Sequence, residues 1–263
     1  MTFRFYPGLH QPADAQHFDR TCISINRVRG RKKPVECDDV IIDSAAFREL
    51  ELYGEYRHSV DEHADELYRL WTADVIKITI AVAQDYMCEA FMLAKTGLSI
   101  EEHQRLTIER YDALKAALEE RFGGQCPFPV MLVLQGYAPY DYVRHIEMYG
   151  DRLTPGMWVG VGSVCKRNGD PEAIVEVLTA IHRARPDLLL HGFGVKATAL
   201  MHSAVRALLY SADSMAWSYA ARRQGRDGNS WHEAKAFAMR VTEIASQALK
   251  PWQMPLPLWR IAA

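Results

Sequence analysis

Long apolar runs are missing from these 263 residues. No window approaches the ~18 uninterrupted apolar residues that a membrane-crossing helix needs. The opening Met1-Thr2-Phe3-Arg4-Phe5-Tyr6-Pro7-Gly8 has no apolar core of a secretion signal. A cytoplasmic protein with no membrane partner is the expectation. Cysteine is scarce, at five residues: Cys22, Cys37, Cys88, Cys126 and Cys165. None forms C-x-x-C and the count is odd, which argues for reduced thiols over a disulfide framework. Charge of one sign is lacking too. Thirty-one basic residues face 33 acidic ones, for a net charge of −2. That excludes a uniformly basic nucleic-acid coat and leaves local basic patches open. Internal repeats, low-complexity tracts and Gly/Ser linkers are absent, so one domain over residues 1–263 is expected. Several catalytic signatures are also absent: the G-x-S-x-G elbow, the H-E-x-x-H metal helix and the G-x-x-x-x-G-K-[ST] phosphate loop. Gly160-x-Gly162 is a poor dinucleotide fingerprint, because Cys165 stands where the third glycine belongs.

What is present is an alternation of short apolar runs with longer amphipathic ones, in a chain that is 49% hydrophobic and 24% charged. Eight strand candidates emerge: Phe3–Tyr6, Cys22–Val28, Val40–Ile42, Val75–Val82, Val130–Leu134, Trp158–Val161, Leu188–Leu190 and Leu208–Ala212. Helical patterns lie over Ala46–Tyr53 and His58–Trp71. Another runs from a capping box at Ser99 to about Phe122, and a fourth from Pro171 to Ala184. The last runs from Ser230 to Leu249, before Pro251, Pro255 and Pro257. Strands alternating with helices predict a parallel α/β sheet. Eight strands in about 250 residues suggest a (β/α)8 barrel. The connections after the first two strands are too short for full helices, so the barrel is expected to be irregular.

Each run stops in polar or glycine residues. Barrel enzymes carry their chemistry at that end of the strands. Three carboxylates stand there: Asp43, Asp85 and Asp213. A carboxylate pair suits reactions at a sugar anomeric carbon, one group as nucleophile and the other moving the leaving group's proton. The residue types allow that chemistry without requiring it.

The chain resembles the tRNA-guanine transglycosylase superfamily, and within it the DNA-modifying DpdA family of phages and genomic islands. Gly8-Leu9-His10-Gln11-Pro12 and Cys22-Ile23-Ser24-Ile25-Asn26-Arg27 resemble the DNA-type branch. Ile42-Asp43-Ser44-Ala45-Ala46-Phe47 resembles the superfamily's D-S-G-x-F, and Asp85-x-x-Cys88 its base-recognition segment. Leu134-Gln135-Gly136 is similar to V-Q-G, Val159 to Ser163 to the glycine-rich I-G-G-L, and Leu190 to Gly194 to L-M-G-V-G. Ser211-Ala212-Asp213-Ser214 is similar to the segment that carries the nucleophilic aspartate. The motifs keep their order from residue 3 to about 218.

The resemblance implies an exchange of guanine in DNA for a free 7-deazaguanine base such as preQ0, with no cofactor. Asp213 would attack the sugar C1′ and Asp43 would handle the proton. Asp85, Ser44, Gln135, Gly136, Gly160, Gly162, His191 and Gly192 would form the base pocket. Two departures stand out. Ala45 replaces the family glycine, where an added methyl could narrow the pocket. No cysteine follows Cys165 to complete the C-x-C-x-x-C zinc site of the tRNA enzymes, so no metal is expected. That absence favours DNA over tRNA and leaves a homo-oligomer open.

Blander readings compete. Asp43 and Asp213 could be helix N-caps, Cys88 and Cys165 core fillers, and Tyr137, Phe193 and Trp217 either base platforms or core aromatics. His10 and His191 read as hydrogen-bonding groups, since no ligand spacing connects them. Three basic segments hold Arg27, Arg29, Arg31, Lys32 and Lys33; Lys166 and Arg167; and Arg222 and Arg223. They follow candidate strands two, six and eight, and on a barrel would share the catalytic face and grip phosphates. The alternatives are a tRNA enzyme without zinc, a non-catalytic nucleic-acid or deazapurine binder, and a hydrolase that passes the sugar to water.

Overall fold

The computed structural model describes residues 3–167 and 169–248. The chain alternates strands and helices. It begins β1 (Arg4–Pro7), β2 (Thr21–Ser24), β3 (Val40–Asp43), α1 (Ala46–Tyr53), α2 (Val60–Thr72), β4 (Ile78–Val82), α3 (Ala90–Thr96) and α4 (Ile100–Arg121). It continues with β5 (Val130–Met131), β6 (Val133–Leu134), α5 (Pro139–Tyr149), β7 (Trp158–Val161), α6 (Pro171–Ala184) and β8 (Leu189–Gly192). The last elements are α7 (Ala197–Leu200), α8 (Ser203–Leu208), β9 (Ser211–Ser214), α9 (Ala216–Arg223) and α10 (Trp231–Ser246).

The strands form two parallel sheets, in the orders β1-β9-β8-β7-β6 and β2-β3-β4-β5. Only Leu132 separates β5 from β6, and a parallel bridge joins Gly8 to Cys22 at the opposite edges. The sheets therefore adjoin at both edges. Parallel strands covered on both faces need apolar side chains at every position, and β3 illustrates this. Ile41 packs inward with Tyr6, Ile80, Val82, Met131 and Val133, while Val40 and Ile42 join the larger cluster beneath the helices. That alternation makes the strand read as an unbroken apolar run.

Local chemistry sets the helix ends. Ser59 and Ser99 each close a capping box, with Glu62 and Glu102. Asp170 accepts from the Ala173 amide at 3.2 Å ahead of Pro171. The loops after β1 and β2 carry only 3-10 turns, Pro12–His17 and Ile25–Arg27. The short turn at Ile25–Arg27 ends β2 earlier than the apolar run suggests. Leu208 belongs to α8, and β9 starts at Ser211. α10 stops at Ser246; Leu249, Pro251, Pro255 and Pro257 lie outside the described residues.

Candidate active site

The three carboxylates converge because each sits at or just beyond the C-terminal end of a strand. At the end of β3 the chain turns through Ala45 in the left-handed region (φ 68°). The turn brings the Ala45 amide back to donate to Asp43 Oδ2 at 2.9 Å. Asp85 follows β4, and its main chain is clamped by one hydroxyl. Tyr56 Oη donates to the Asp85 carbonyl and accepts from its amide, both at 2.9 Å. The Asp85 carboxyl accepts from Ser44 Oγ at 3.1 Å on Oδ1 and from Gln135 Nε2 on Oδ2. Asp213 lies within β9, and its Oδ1 accepts from the Gly194 amide at 2.9 Å.

Asp43, Asp85, Asp213 and Gln135 line a pocket of about 340 Å³, closed on its apolar sides by Phe47, Met87, Phe193 and Met215. That volume suits a small flat ligand. Burial raises the Asp43 carboxyl to about 6, and the charge of Asp213 adds to the effect. Asp85 rises further, to about 7, through burial and then the charge of Asp43, against the opposing hydrogen bonds from Gln135 and Ser44. Asp43 can thus hold or release a proton near neutral pH, as a general acid–base must.

A second layer sets the pocket floor. Ser163, strained at φ 55°, accepts from the Cys88 amide at 2.8 Å. Its hydroxyl lies 2.8 Å from Gln135 Oε1 and 3.0 Å from Glu89 Oε2. One hydroxyl proton cannot serve both acceptors. Burial raises the Glu89 carboxyl, and the Gln135 amide sits with Oε1 toward the Ser163 hydroxyl. That orientation turns Gln135 Nε2 toward Asp85. A Cβ on Gly162 would lie 2.1 Å from Gln135 Nε2, so this glycine makes the space the amide occupies.

The remaining sequence candidates divide. Gly160 underlies the Phe193 ring, with its would-be Cβ 2.4 Å away, and so seats a pocket wall. Gly136 packs on Asp141 and Tyr142, and Gly192 on Val195. His191 is fully buried behind Asp213, 3.4 Å from its Oδ1, and is not on the pocket surface. The Ala45 methyl is packed in the core, so it does not narrow the pocket. Phe193 lines the pocket; Trp217 is core, donating to the Gly8 carbonyl at 2.9 Å; Tyr137 is exposed.

The basic residues divide as well. Lys166 sits 4.6 Å from the ring of the pocket residue Phe47, and Arg167 4.5 Å from Tyr137. Arg27 donates to His10 Nδ1 at 3.3 Å. Arg222 acts electrostatically on the same imidazole and packs against Gly228. Arg223 reaches the exposed Tyr219 ring. Arg29 turns to Asn26, at 3.4 Å. Arg31, Lys32 and Lys33 are not brought to the mouth. The Arg31 guanidinium is spent on the carbonyls of Lys33 and Pro34, and Arg69 of α2 holds the Arg31 carbonyl. From there the chain reaches Val35, bonded to Val75 below the start of β4.

Sequence reasoning missed Glu89 and Tyr56 and quoted Ser163 only as part of a glycine motif. Ser163 could have been found there; Glu89 and Tyr56 carry no local signal, because only the fold brings them to the site. Among the described residues no three His, Cys, Asp or Glu side chains are grouped to hold a metal ion, and no helix is long and apolar enough to cross a membrane.

A family model, DpdA or DeoxyPurine in DNA protein A, matches residues 1–257. A search of curated proteins finds no match.

Proposed function

The chain belongs to the DpdA family, and on that premise we propose that it exchanges guanine in DNA for a free 7-deazaguanine base such as preQ0. The observation that carries the reading is one pocket with Asp43 and Asp213 electrostatically coupled across it and Asp85 beside them. The Asp213 carboxylate attacks C1′ of the deoxyribose. The bond from C1′ to guanine breaks, and protonated Asp43 gives its proton to the departing base. A glycosyl ester of Asp213 results. The incoming base attacks C1′ through N9, its N9 proton passes to Asp43, and the Asp213 carboxylate is released. Both half-reactions balance without a redox or nucleotide cofactor. Asp85 accepts from the donor edge of the purine, and the Gln135 amide serves its carbonyl.

The same reading takes the two adjoining sheets as one closed, irregular (β/α)8 barrel, with the pocket at the strand C-terminal ends. The Gly8–Cys22 bridge supports closure at one seam, and the single residue between β5 and β6 supports it at the other. A guanine inside a duplex is out of reach of such a pocket, so the target base must be flipped or unpaired. Arg27, Lys166 and Arg222 hold the phosphates around it.

Nucleoside mass spectrometry after incubation with guanine-containing DNA and preQ0 tests the reading. A deazaguanine deoxynucleoside, absent with Asp213→Asn, is expected. Incorporation into tRNA alone would overturn the choice of DNA.

A further inference from the structure

His191 has no part in the exchange as described, yet it is the buried neighbour of the proposed nucleophile. Its Nε2 is buried and makes no hydrogen bond among the described residues, with Asp213 Oδ1 at 3.4 Å as its charged neighbour. Its Nδ1 lies 2.9 Å from Ser211 Oγ, on the adjoining strand in direct register. Ser211 Oγ also receives the Trp158 indole N–H at 2.8 Å. An indole N–H only donates, so it occupies a lone pair of the hydroxyl. The hydroxyl proton then has His191 Nδ1 as its acceptor among the described residues. If Nδ1 instead carried the proton, the serine proton would be stranded and the Nε2 lone pair would face a carboxylate. Three rings also hold the imidazole in place: Phe193 at 4.8 Å, Trp158 at 6.0 Å and Tyr6 at 6.2 Å.

Resting on the base-exchange reading, we infer that His191 is a positioning residue held by Trp158 and Ser211 as the neutral Nε2–H tautomer, and that it assigns the two oxygens of Asp213 to different tasks. Oδ1 takes the Gly194 amide and faces the His191 Nε2–H. Oδ2 is left to form the bond to C1′. At 3.4 Å the His191 contact is long for a hydrogen bond, and such contacts tighten as the reacting complex forms. In the ester Oδ1 is the carbonyl oxygen. As the C1′–Oδ2 bond breaks, negative charge returns to both oxygens, and the two donors stabilise it. His191 therefore speeds the second half-reaction, in which the ester is resolved by the incoming base.

The test has two arms on the full chain. Long-range ¹H–¹⁵N correlation of ¹⁵N-histidine protein reads the tautomer, with His191→Gln identifying the signal by its loss. Nε2–H is expected, moving toward the Nδ1–H pattern in Ser211→Ala; an Nδ1–H tautomer in the wild-type protein would overturn the inference whatever the activity. The second arm compares exchange by wild type, His191→Met and His191→Gln, whose amide N–H stands where Nε2–H was. The expected loss in His191→Met is about 10- to 100-fold in kcat, the range carried by a hydrogen bond to a charged group. KM for the base should be unchanged, the covalent protein–DNA species should accumulate, and His191→Gln should recover most of the rate. Equal losses in both variants with no accumulated ester would overturn the positioning role. A wild-type protein with the Nε2–H tautomer and no exchange would count against the base-exchange reading alone.

Discussion

At the residue scale the site holds two destabilised carboxyls, Asp43 and Asp85. Asp43 has its carboxyl raised to about 6, against about 3.9 in an unfolded chain. The folded state therefore binds the proton more tightly. The contribution of Asp43 to stability is fully present below about pH 4 and is lost as pH rises through about 6. Asp43→Asn removes that loss and keeps an oxygen for the Ala45 amide. It should abolish exchange while stabilising the protein by about 1–2 kcal/mol at pH 8, a gain that vanishes near pH 4. Urea titrations at the two pH values check this; a gain of the same size at both would contradict the assignment. Ala45 presents the opposite case. Its left-handed backbone costs about 1–2 kcal/mol for a residue with a Cβ, while glycine adds about 0.4–1 kcal/mol of unfolded-chain entropy. Ala45→Gly should stabilise by roughly 0.5 kcal/mol and leave base affinity unchanged, because the methyl points into the core. Tighter base binding by the glycine variant would show that the methyl reaches the pocket after all.

At the element scale the strands position the chemistry and their glycines shape it. Gly162 follows β7 and has room only for the Gln135 amide. Gly162→Ala should displace that amide and raise KM for the incoming base by up to about 10-fold, the cost of losing one hydrogen bond to the base carbonyl. An unchanged KM would mean that Gln135 does not touch the base. These elements were legible to different degrees. Buried parallel strands advertise themselves as apolar runs, and Ser99 marks a helix start through its contact with Glu102 three residues away. Asp43, Asp85, Asp213 and Gln135 stood out as polar groups where such runs stop. The short helices α7 and α8 did not stand out, because four and six residues give too little periodicity to read. Glu89 and Tyr56 were silent for another reason: their partners, Ser163 and Asp85, lie 74 and 29 residues away in the chain. Nor does a run of basic residues reveal which way its loop turns. Arg27 and Lys33 are neighbours in sequence, yet the Arg31 and Arg69 contacts draw the second half of the loop away from the pocket.

At the scale of the whole molecule, near-neutral net charge makes the placement of cations decisive. Lys166 reaches a pocket residue, while Arg27 and Arg222 flank His10. Replacing Arg27, Lys166 and Arg222 with Glu should weaken binding to a DNA oligonucleotide and flatten its salt dependence, since each phosphate contact contributes about one unit to the slope. The same change at Arg31, Lys32 and Lys33 should alter binding far less. Fluorescence anisotropy at several salt concentrations distinguishes them, and an equal loss for the two triples would show that the DNA path runs over the side of α2 as well.

The most direct measurement uses no deazapurine at all. A nucleophilic Asp213 and a pocket that accepts a free purine together require that guanine itself can re-enter. DNA incubated with ¹⁵N-labelled guanine should therefore gain labelled deoxyguanosine by nucleoside mass spectrometry, with strands intact and no abasic sites, and Asp213→Asn should gain none. Guanine release with abasic sites and no label in the DNA, or undiminished label uptake with Asp213→Asn, would contradict base exchange through a glycosyl-aspartate.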